Sequence, residues 1–119
     1  MASTAQEPER EQRIANEIVV DAYSSEEVAM GWYYYLENTL QFPFAAIWIG
    51  SEGKDGDAVE VLGMAEEEEC TQEILVEVGF EGDAFTVPLL KIAAPAASAK
   101  IREAIADWHY WIDQGYGFT

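Results

Sequence analysis

Side chains with oxygen ligands are the residues of this sequence whose types and spacing point to chemistry, and they fall into three groups. One is a run of glutamates in MAEEEECTQE, one lies in KDGDAVE, and one is an acid–amide pair in YYYLEN. Their members are Glu66, Glu67, Glu68, Glu69 and Glu73; Asp55, Asp57 and Glu60; and Glu37 and Asn38. Ca²⁺ takes about six to eight oxygen ligands from carboxylates, amides, backbone carbonyls and water. The groups therefore predict a calcium site, and for each single acid the alternative is a solvated acidic surface.

The closeness of the acids bears on what such a site would do. Neighbouring carboxylates at about 4–5 Å repel each other by roughly 1–4 kcal/mol at a surface-like dielectric. A divalent ion turns this repulsion into attraction, so the site is loose when empty and tightens when filled, as in a calcium buffer or sensor. The group that begins at Asp55 is not an EF-hand, because no EF-hand loop with its terminal Glu follows between two helices.

The net charge restricts the possible partners. The 119 residues include 23 Asp and Glu against 6 Lys and Arg, which gives a formal net charge of −17. Binding to nucleic acid or to an anionic membrane surface needs clustered positive charge, so neither is predicted as a partner. A folded chain of this charge repels itself, which suggests bound cations, a basic partner or a salty environment as the compensation. The alternative function is therefore an acidic interaction module that docks a basic protein partner without a specific metal.

No enzyme motif occurs in the sequence. A Gly-rich phosphate loop and a nucleophile motif are both absent, and the single histidine, His109, is predicted to pack at a helix surface. Cys70 stands among glutamates, which raise the pKa of a thiol and make it a poor nucleophile. We therefore expect a protein that is not an enzyme.

The predicted location is the cytoplasm. A single cysteine excludes an intramolecular disulfide and fits a reducing compartment. The N-terminal stretch MASTAQEPEREQRIANE lacks the apolar region of a signal peptide. No apolar run approaches the roughly 18–20 residues of a membrane-spanning helix.

Hydrophobic periodicity predicts three helices. An apolar residue recurs at every fourth position from Ile14 to Ala22, which indicates a helix over 9–23, although IVVDAY by itself is also compatible with a strand. The capping-box signature SSEE opens a second helix over 25–40. The third helix lies in SAKIREAIADWHYWIDQGYGF and stops near Gly115. Within the second helix, the three tyrosines of GWYYY cannot all face inward, so at least one is expected at the surface, where it could cover an interface.

Short strands are predicted between the second and third helices. FPFAAIWIG and AVEVLGMA are typical of strands, and the glutamate run connects the second of them to the next strand. ILVEVGFEGDAFTVPLLKI predicts a hairpin that turns at 81–83 and continues into a short last strand after Pro88. We expect an α+β fold, a small antiparallel SH3-like β-barrel or twisted sheet flanked by two N-terminal helices and one C-terminal helix. Residues 1–8 are expected to be disordered and 9–119 to form one domain.

Several unusual strings give the chain a family resemblance. REQRIANEIVVDAY, EEVAMGWYYYLE, FPFAAIW, VEVLGMA, FTVPLLKI and AIADWHYWIDQGYGF together resemble the small calcium-binding proteins of cyanobacteria and other bacteria, over about residues 10–118. The resemblance implies a cytoplasmic protein that binds Ca²⁺ without EF-hands, helps to set free calcium and is not an enzyme.

The resemblance also bears on the ligands. Glu37 matches the family pattern, whereas Asn38 stands where the family is usually acidic, which implies one ligand charge fewer and a weaker site. The stretch after GMA matches a segment that is regularly acidic in the family. Because this stretch connects two strands, we expect Glu66–Glu69 to gather around an ion together with acids from a nearby loop; the alternative is that they only raise the local calcium concentration by electrostatic attraction. Asp55 and Asp57 lie in a loop of variable length.

Overall fold

The structure is a computed structural model that describes residues 7–49 and 56–117. Its helices and strands are α1 (Pro8–Glu17), α2 (Ser25–Thr39), β1 (Phe44–Trp48), β2 (Asp57–Met64), β3 (Leu75–Phe80), β4 (Asp83–Pro88), β5 (Ile92–Ala93) and α3 (Ala99–Asp113). Two short 3₁₀ helices, Glu67–Cys70 and Leu89–Lys91, lie in the connections. None of the helices in these ranges is long and apolar enough to cross a membrane.

The strands form one antiparallel sheet in the order β4-β3-β2-β1-β5. Val59 and Val61 of β2 are buried and alternate with exposed residues, as expected for a sheet with one face in the core. The sheet is open, with β4 and β5 at its edges. The predicted α+β fold is therefore confirmed, and the open sheet is found instead of a barrel.

The β3–β4 hairpin turns where the sequence predicts. Glu81 and Gly82 have φ values of 52° and 85°, the left-handed backbone that a two-residue hairpin turn requires. The last strand begins later than expected, because a 3₁₀ turn follows Pro88 before β5 starts at Ile92. β5 pairs with β1 at the far side of the sheet and does not extend the hairpin.

The first helix is shorter than predicted. α1 ends at Glu17, and the following IVV segment is β-branched, which weakens helix formation. Asp21 then adopts a φ of 57°, which an α-helix does not allow. This segment also packs closely on α2, since a Cβ added at Gly31 would lie 2.4 Å from the carbonyl oxygen of Ile18.

The start of the chain is only partly described. Residues 1–6 of the predicted disordered segment lie outside the described residues. Glu7 and Pro8 do not follow that prediction, because Pro8 begins α1 and the Glu7 backbone N–H donates to the Tyr110 hydroxyl at 3.0 Å. The division into a disordered segment and a single domain otherwise stays a prediction.

The core joins the sheet to all three helices, and one charged side chain is buried among them. Trp32 of α2 is fully buried and packs edge-on against Trp108 of α3, with ring centroids 5.1 Å apart. Asp107 is also fully buried. Its carboxylate accepts hydrogen bonds from Arg10 and Arg13 of α1, so it ties α1 to α3.

Candidate metal centre

Residues 65–74, which we call the acidic connection, join β2 to β3 and are anchored at three positions. Ala65, Cys70 and Ile74 are each 0% exposed. The Ala65 N–H donates to the Leu75 carbonyl at 3.0 Å, and the Cys70 sulfur accepts from the Leu75 N–H at 3.4 Å. The backbone of the acidic connection is therefore held by the core, while its carboxylates remain outside.

Cys70 serves this anchoring and is not a reactive thiol. Burial raises the pKa of the Cys70 thiol, the hydrogen bond with Leu75 opposes the rise, and the charges of Glu69 and Glu73 add to it. A thiol that is buried and protonated is a poor nucleophile and a poor metal ligand. The same interactions place Glu69 and Glu73 near Cys70.

The glutamate run does not converge as the sequence analysis predicted. Glu67–Cys70 form a 3₁₀ helix, and the Glu69 N–H donates to the Glu66 carbonyl at 2.8 Å. A 3₁₀ helix has about three residues per turn, so consecutive side chains diverge by about 120°. Glu67 is half-buried, whereas Glu66, Glu68 and Glu69 are exposed. The run connects two strands as expected, but its carboxylates point in different directions.

One side of the run faces α2 across a groove. This acidic groove has a volume of about 320 Å³ and is lined by Ser25, Glu26, Ala29, Met30, Glu67, Glu68 and Thr71. Carboxylates thus come from both walls, Glu26 from α2 and Glu67 and Glu68 from the acidic connection. Sequence reasoning missed Glu26, because it belongs to the first turn of α2 and nothing local shows which loop that turn faces.

Farther along α2, Glu67 and one further carboxylate, that of Glu37, act on the phenol of Tyr34. The Tyr34 hydroxyl donates to Glu67 Oε1 at 3.1 Å. This hydrogen bond and the charge of Glu67 raise the pKa of Tyr34, and the charge of Glu37 adds to the rise. Glu37 and Glu67, two predicted ligands, therefore both act on Tyr34, while Asn38 is exposed beside Glu37 at the end of α2.

The described members of the predicted group in the β1–β2 region, Asp57 and Glu60, are not brought to this groove. Asp57 pairs with Trp48 at the start of β2, about 26 Å of strand before Ala65. Glu60 lies on the same strand, and an odd spacing of three residues puts Asp57 and Glu60 on opposite faces of the sheet. Asp55 lies outside the described residues.

The donor chemistry of the acidic groove fits a hard cation, although its ligands are not preformed. Within residues 7–49 and 56–117, no group of three or more His, Cys, Asp or Glu side chains is arranged to hold a metal. The charged side chains that line the groove are carboxylates, with no thiol and no imidazole among the lining residues, which matches the preference of Ca²⁺ for oxygen. Flexible Glu side chains would have to turn toward the ion. Every ion pair in the described ranges involves Arg10 or Arg13, so the groove acids have no cationic partner there.

Comparison with known proteins identifies the family. The model of the CcbP family, described as calcium binding, matches residues 12–112. The chain belongs to this calcium-binding family. The family recognised from the sequence is thereby confirmed, and Ca²⁺ is its ligand. A comparison with curated protein sequences finds no match.

Two solved structures share the fold of this family member. One is the crystal structure of CcbP from Anabaena, at 46% sequence identity and a TM-score of 0.89, with 98% of each chain covered. The other is a calcium-binding protein in its calcium-binding form, at 45% identity and a TM-score of 0.87, again with 98% of each chain covered. The similarity thus extends over nearly the whole length of all three chains.

Proposed function

We propose that this family member binds Ca²⁺ between α2 and the acidic connection, with Glu67 and Glu37 as principal ligands and Glu68 as a further oxygen donor. Glu26 lies roughly 16 Å from Glu37 along α2, so we assign to it the attraction of the ion into the groove and not a share in its coordination. The observation that carries the proposal is the meeting of α2 and the acidic connection around Tyr34, where carboxylates from both elements lie without a described cationic partner. A divalent cation there would turn their repulsion into attraction.

The remaining predicted ligands are given other roles. Glu66, Glu69 and Glu73 are exposed and do not line the groove, and Glu60 lies on the exposed face of β2. We assign to them the long-range attraction of cations, because summed negative charge raises the local concentration of Ca²⁺. Asn38 keeps one oxygen beside Glu37 but adds no charge, which lowers the affinity expected there.

The anchoring of the site favours a buffer over a sensor. Because Ala65, Cys70 and Ile74 are buried, calcium can recruit glutamate side chains without moving the backbone far. Calcium buffers change shape little on binding, whereas sensors open and expose an apolar surface. We therefore propose a cytoplasmic calcium buffer that shapes bacterial calcium signals, a location supported by the single, reduced cysteine.

A calorimetric titration with matched variants tests the site. Chelator-treated protein is titrated with Ca²⁺ in about 0.15 M salt with Mg²⁺ present, since Mg²⁺ resists dehydration and competes poorly at flexible sites. We expect saturable binding that Glu67→Gln weakens by tenfold or more, about 1.4 kcal/mol. Glu77→Gln is the control, because Glu77 is an exposed acid on β3 away from the groove.

Three results would contradict parts of this proposal. The absence of saturable binding in the unmodified protein would remove the calcium function. Equal affinities for Glu67→Gln and Glu77→Gln would leave calcium binding intact but move it away from the acidic groove. A change in tryptophan emission on binding would favour a sensor, because Trp32 and Trp108 are buried in the core and neither lines the groove.

A second candidate function is the docking of a basic protein partner. The groove combines an apolar floor, formed by Ala29 and Met30, with acidic walls, which suits a basic segment with an apolar anchor. Such binding would weaken with salt and would not depend on which divalent cation is present. The net charge continues to argue against nucleic acid and anionic membranes as partners.

A further inference from the structure

Three consecutive tyrosines of α2 donate hydrogen bonds in three directions. The Tyr33 hydroxyl donates to the Ala65 carbonyl at 2.7 Å, and the Tyr35 hydroxyl donates to Asp107 Oδ2 at 3.2 Å. Both of these rings are at least partly buried, and their bonds hold the fold together. Tyr34 is different, because its side chain is 46% exposed and its partner is the groove carboxylate of Glu67.

The surroundings of Tyr34 restrict where its hydroxyl can lie. Its ring stands at 89° to the ring of Tyr33, with centroids 5.7 Å apart. Tyr33 is itself fixed by its bond to Ala65, the first residue of the acidic connection. The Tyr34 hydroxyl is thus presented from α2 to the acidic connection at a defined position.

The bond to Tyr34 affects only part of the Glu67 carboxylate. The hydroxyl contacts Oε1, and among the described residues nothing donates a hydrogen bond to Oε2. A long Glu side chain has many rotamers in solution, and one hydrogen bond to a fixed donor selects among them. A carboxylate held in this way by one oxygen keeps the lone pairs of the other oxygen available for a cation.

We propose that Tyr34 is a positioning residue for calcium binding, which orients the Glu67 carboxylate from α2. The inference rests on the proposed function of the acidic groove. Partners that hydrogen-bond to ligating carboxylates orient them, and their loss commonly weakens metal binding by about 10–100-fold. Because Tyr34 is half-exposed and water can replace its hydroxyl, the effect belongs at the lower end of this range.

Calcium titrations of the full chain carrying Tyr34→Phe or Tyr23→Phe test the inference. Tyr23 is 87% exposed, which makes it the matched control for loss of one hydroxyl. We expect the dissociation constant to rise about tenfold in Tyr34→Phe, with unchanged stoichiometry, and to stay the same in Tyr23→Phe. The urea midpoints of both variants should match that of the unmodified protein, because an exposed hydrogen bond adds little stability.

A double-mutant cycle separates positioning from a structural effect. If Tyr34 acts through Glu67, then Tyr34→Phe should change the affinity no further once Glu67→Gln is present. Equal effects in both backgrounds, or a Tyr34→Phe affinity that is unchanged or tighter, would overturn the inference. When Glu67→Gln weakens binding and Tyr34→Phe does not, only the inference fails. When the unmodified protein binds no calcium, or Glu67→Gln binds as before, the proposed site fails and the inference with it.

Discussion

Replacement of Asp107 by alanine should destabilise the fold strongly. The carboxylate is fully buried and accepts hydrogen bonds from Arg10 Nη1 at 2.9 Å, from Arg13 Nη1 and Nη2 at 2.6 and 2.8 Å, and from the Tyr35 hydroxyl at 3.2 Å. These bonds join α1, α2 and α3 at one point. The hydrogen bonds from Arg13 also raise the pKa of that guanidinium above its ordinary value.

The size of the expected loss of stability depends on how exposed the two arginine partners of Asp107 are. Removing one member of a buried ion pair commonly costs about 3–5 kcal/mol, because the other charge is left buried without a partner. The side chains of Arg10 and Arg13 retain 24% and 25% of their exposure, so water can partly rehydrate them. We therefore expect Asp107→Ala to lower the free energy of unfolding by about 3 kcal/mol.

Glu103 provides the control on the same helix. Its carboxylate lies 3.7 Å from Arg13 and its side chain is 56% exposed, and such surface pairs contribute only about 0–1 kcal/mol. Urea unfolding of Asp107→Ala and Glu103→Gln, compared at unchanged m-value, measures the difference. If the two variants lose similar stability, the buried carboxylate does not hold the helices together and this reasoning is refuted.

Three further predictions concern other parts of the fold. Gly31→Ala should lower the free energy of unfolding by about 1–3 kcal/mol in urea unfolding, because the new Cβ would lie 2.4 Å from the Ile18 carbonyl oxygen. If this variant loses less stability than a variant with alanine introduced at an exposed position, the result contradicts the close contact. Ser24→Ala should cost about 1 kcal/mol, since the Ser24 side chain accepts from the Glu27 N–H in a capping box; an unchanged midpoint would argue against the cap. Burial, aided by the charge of Glu37, raises the pKa of Tyr33 from 10.0 to about 12. The folded state thus favours the protonated phenol, and this stabilisation is complete below pH 10 and is lost as the pH rises toward 12. Urea midpoints measured across this window should fall less in Tyr33→Phe than in the unmodified protein, and equal falls would contradict the assignment.

Local patterns predict much of this fold because they reflect local physics. The capping box at Ser24 places the start of α2, and the Glu81-Gly82 pair supplies the positive φ values of the hairpin turn. The predicted end of α1 was wrong because close packing at Gly31 and the turn at Asp21 override the four-residue spacing. Such contacts join distant parts of the chain, and a sequence pattern does not show them.

In the candidate site, too, the local features could be predicted from the sequence and the contacts between distant parts of the chain could not. The acidity of the connection between β2 and β3 is plain in the sequence, but its 3₁₀ turn spreads the glutamates apart. Glu26 lines the groove, and Tyr34 contacts Glu67, only because α2 packs beside the acidic connection. The family resemblance, in contrast, rests on strings along nearly the whole chain, and the family match confirms it.

The most direct test of the proposed site is a crystal structure of the calcium-loaded protein. We expect a calcium ion between α2 and the acidic connection, with an oxygen of Glu67 and one of Glu37 at about 2.3–2.6 Å from it. An ion coordinated only elsewhere, for example at Asp57 or Glu60 with the acidic groove empty, would contradict the account.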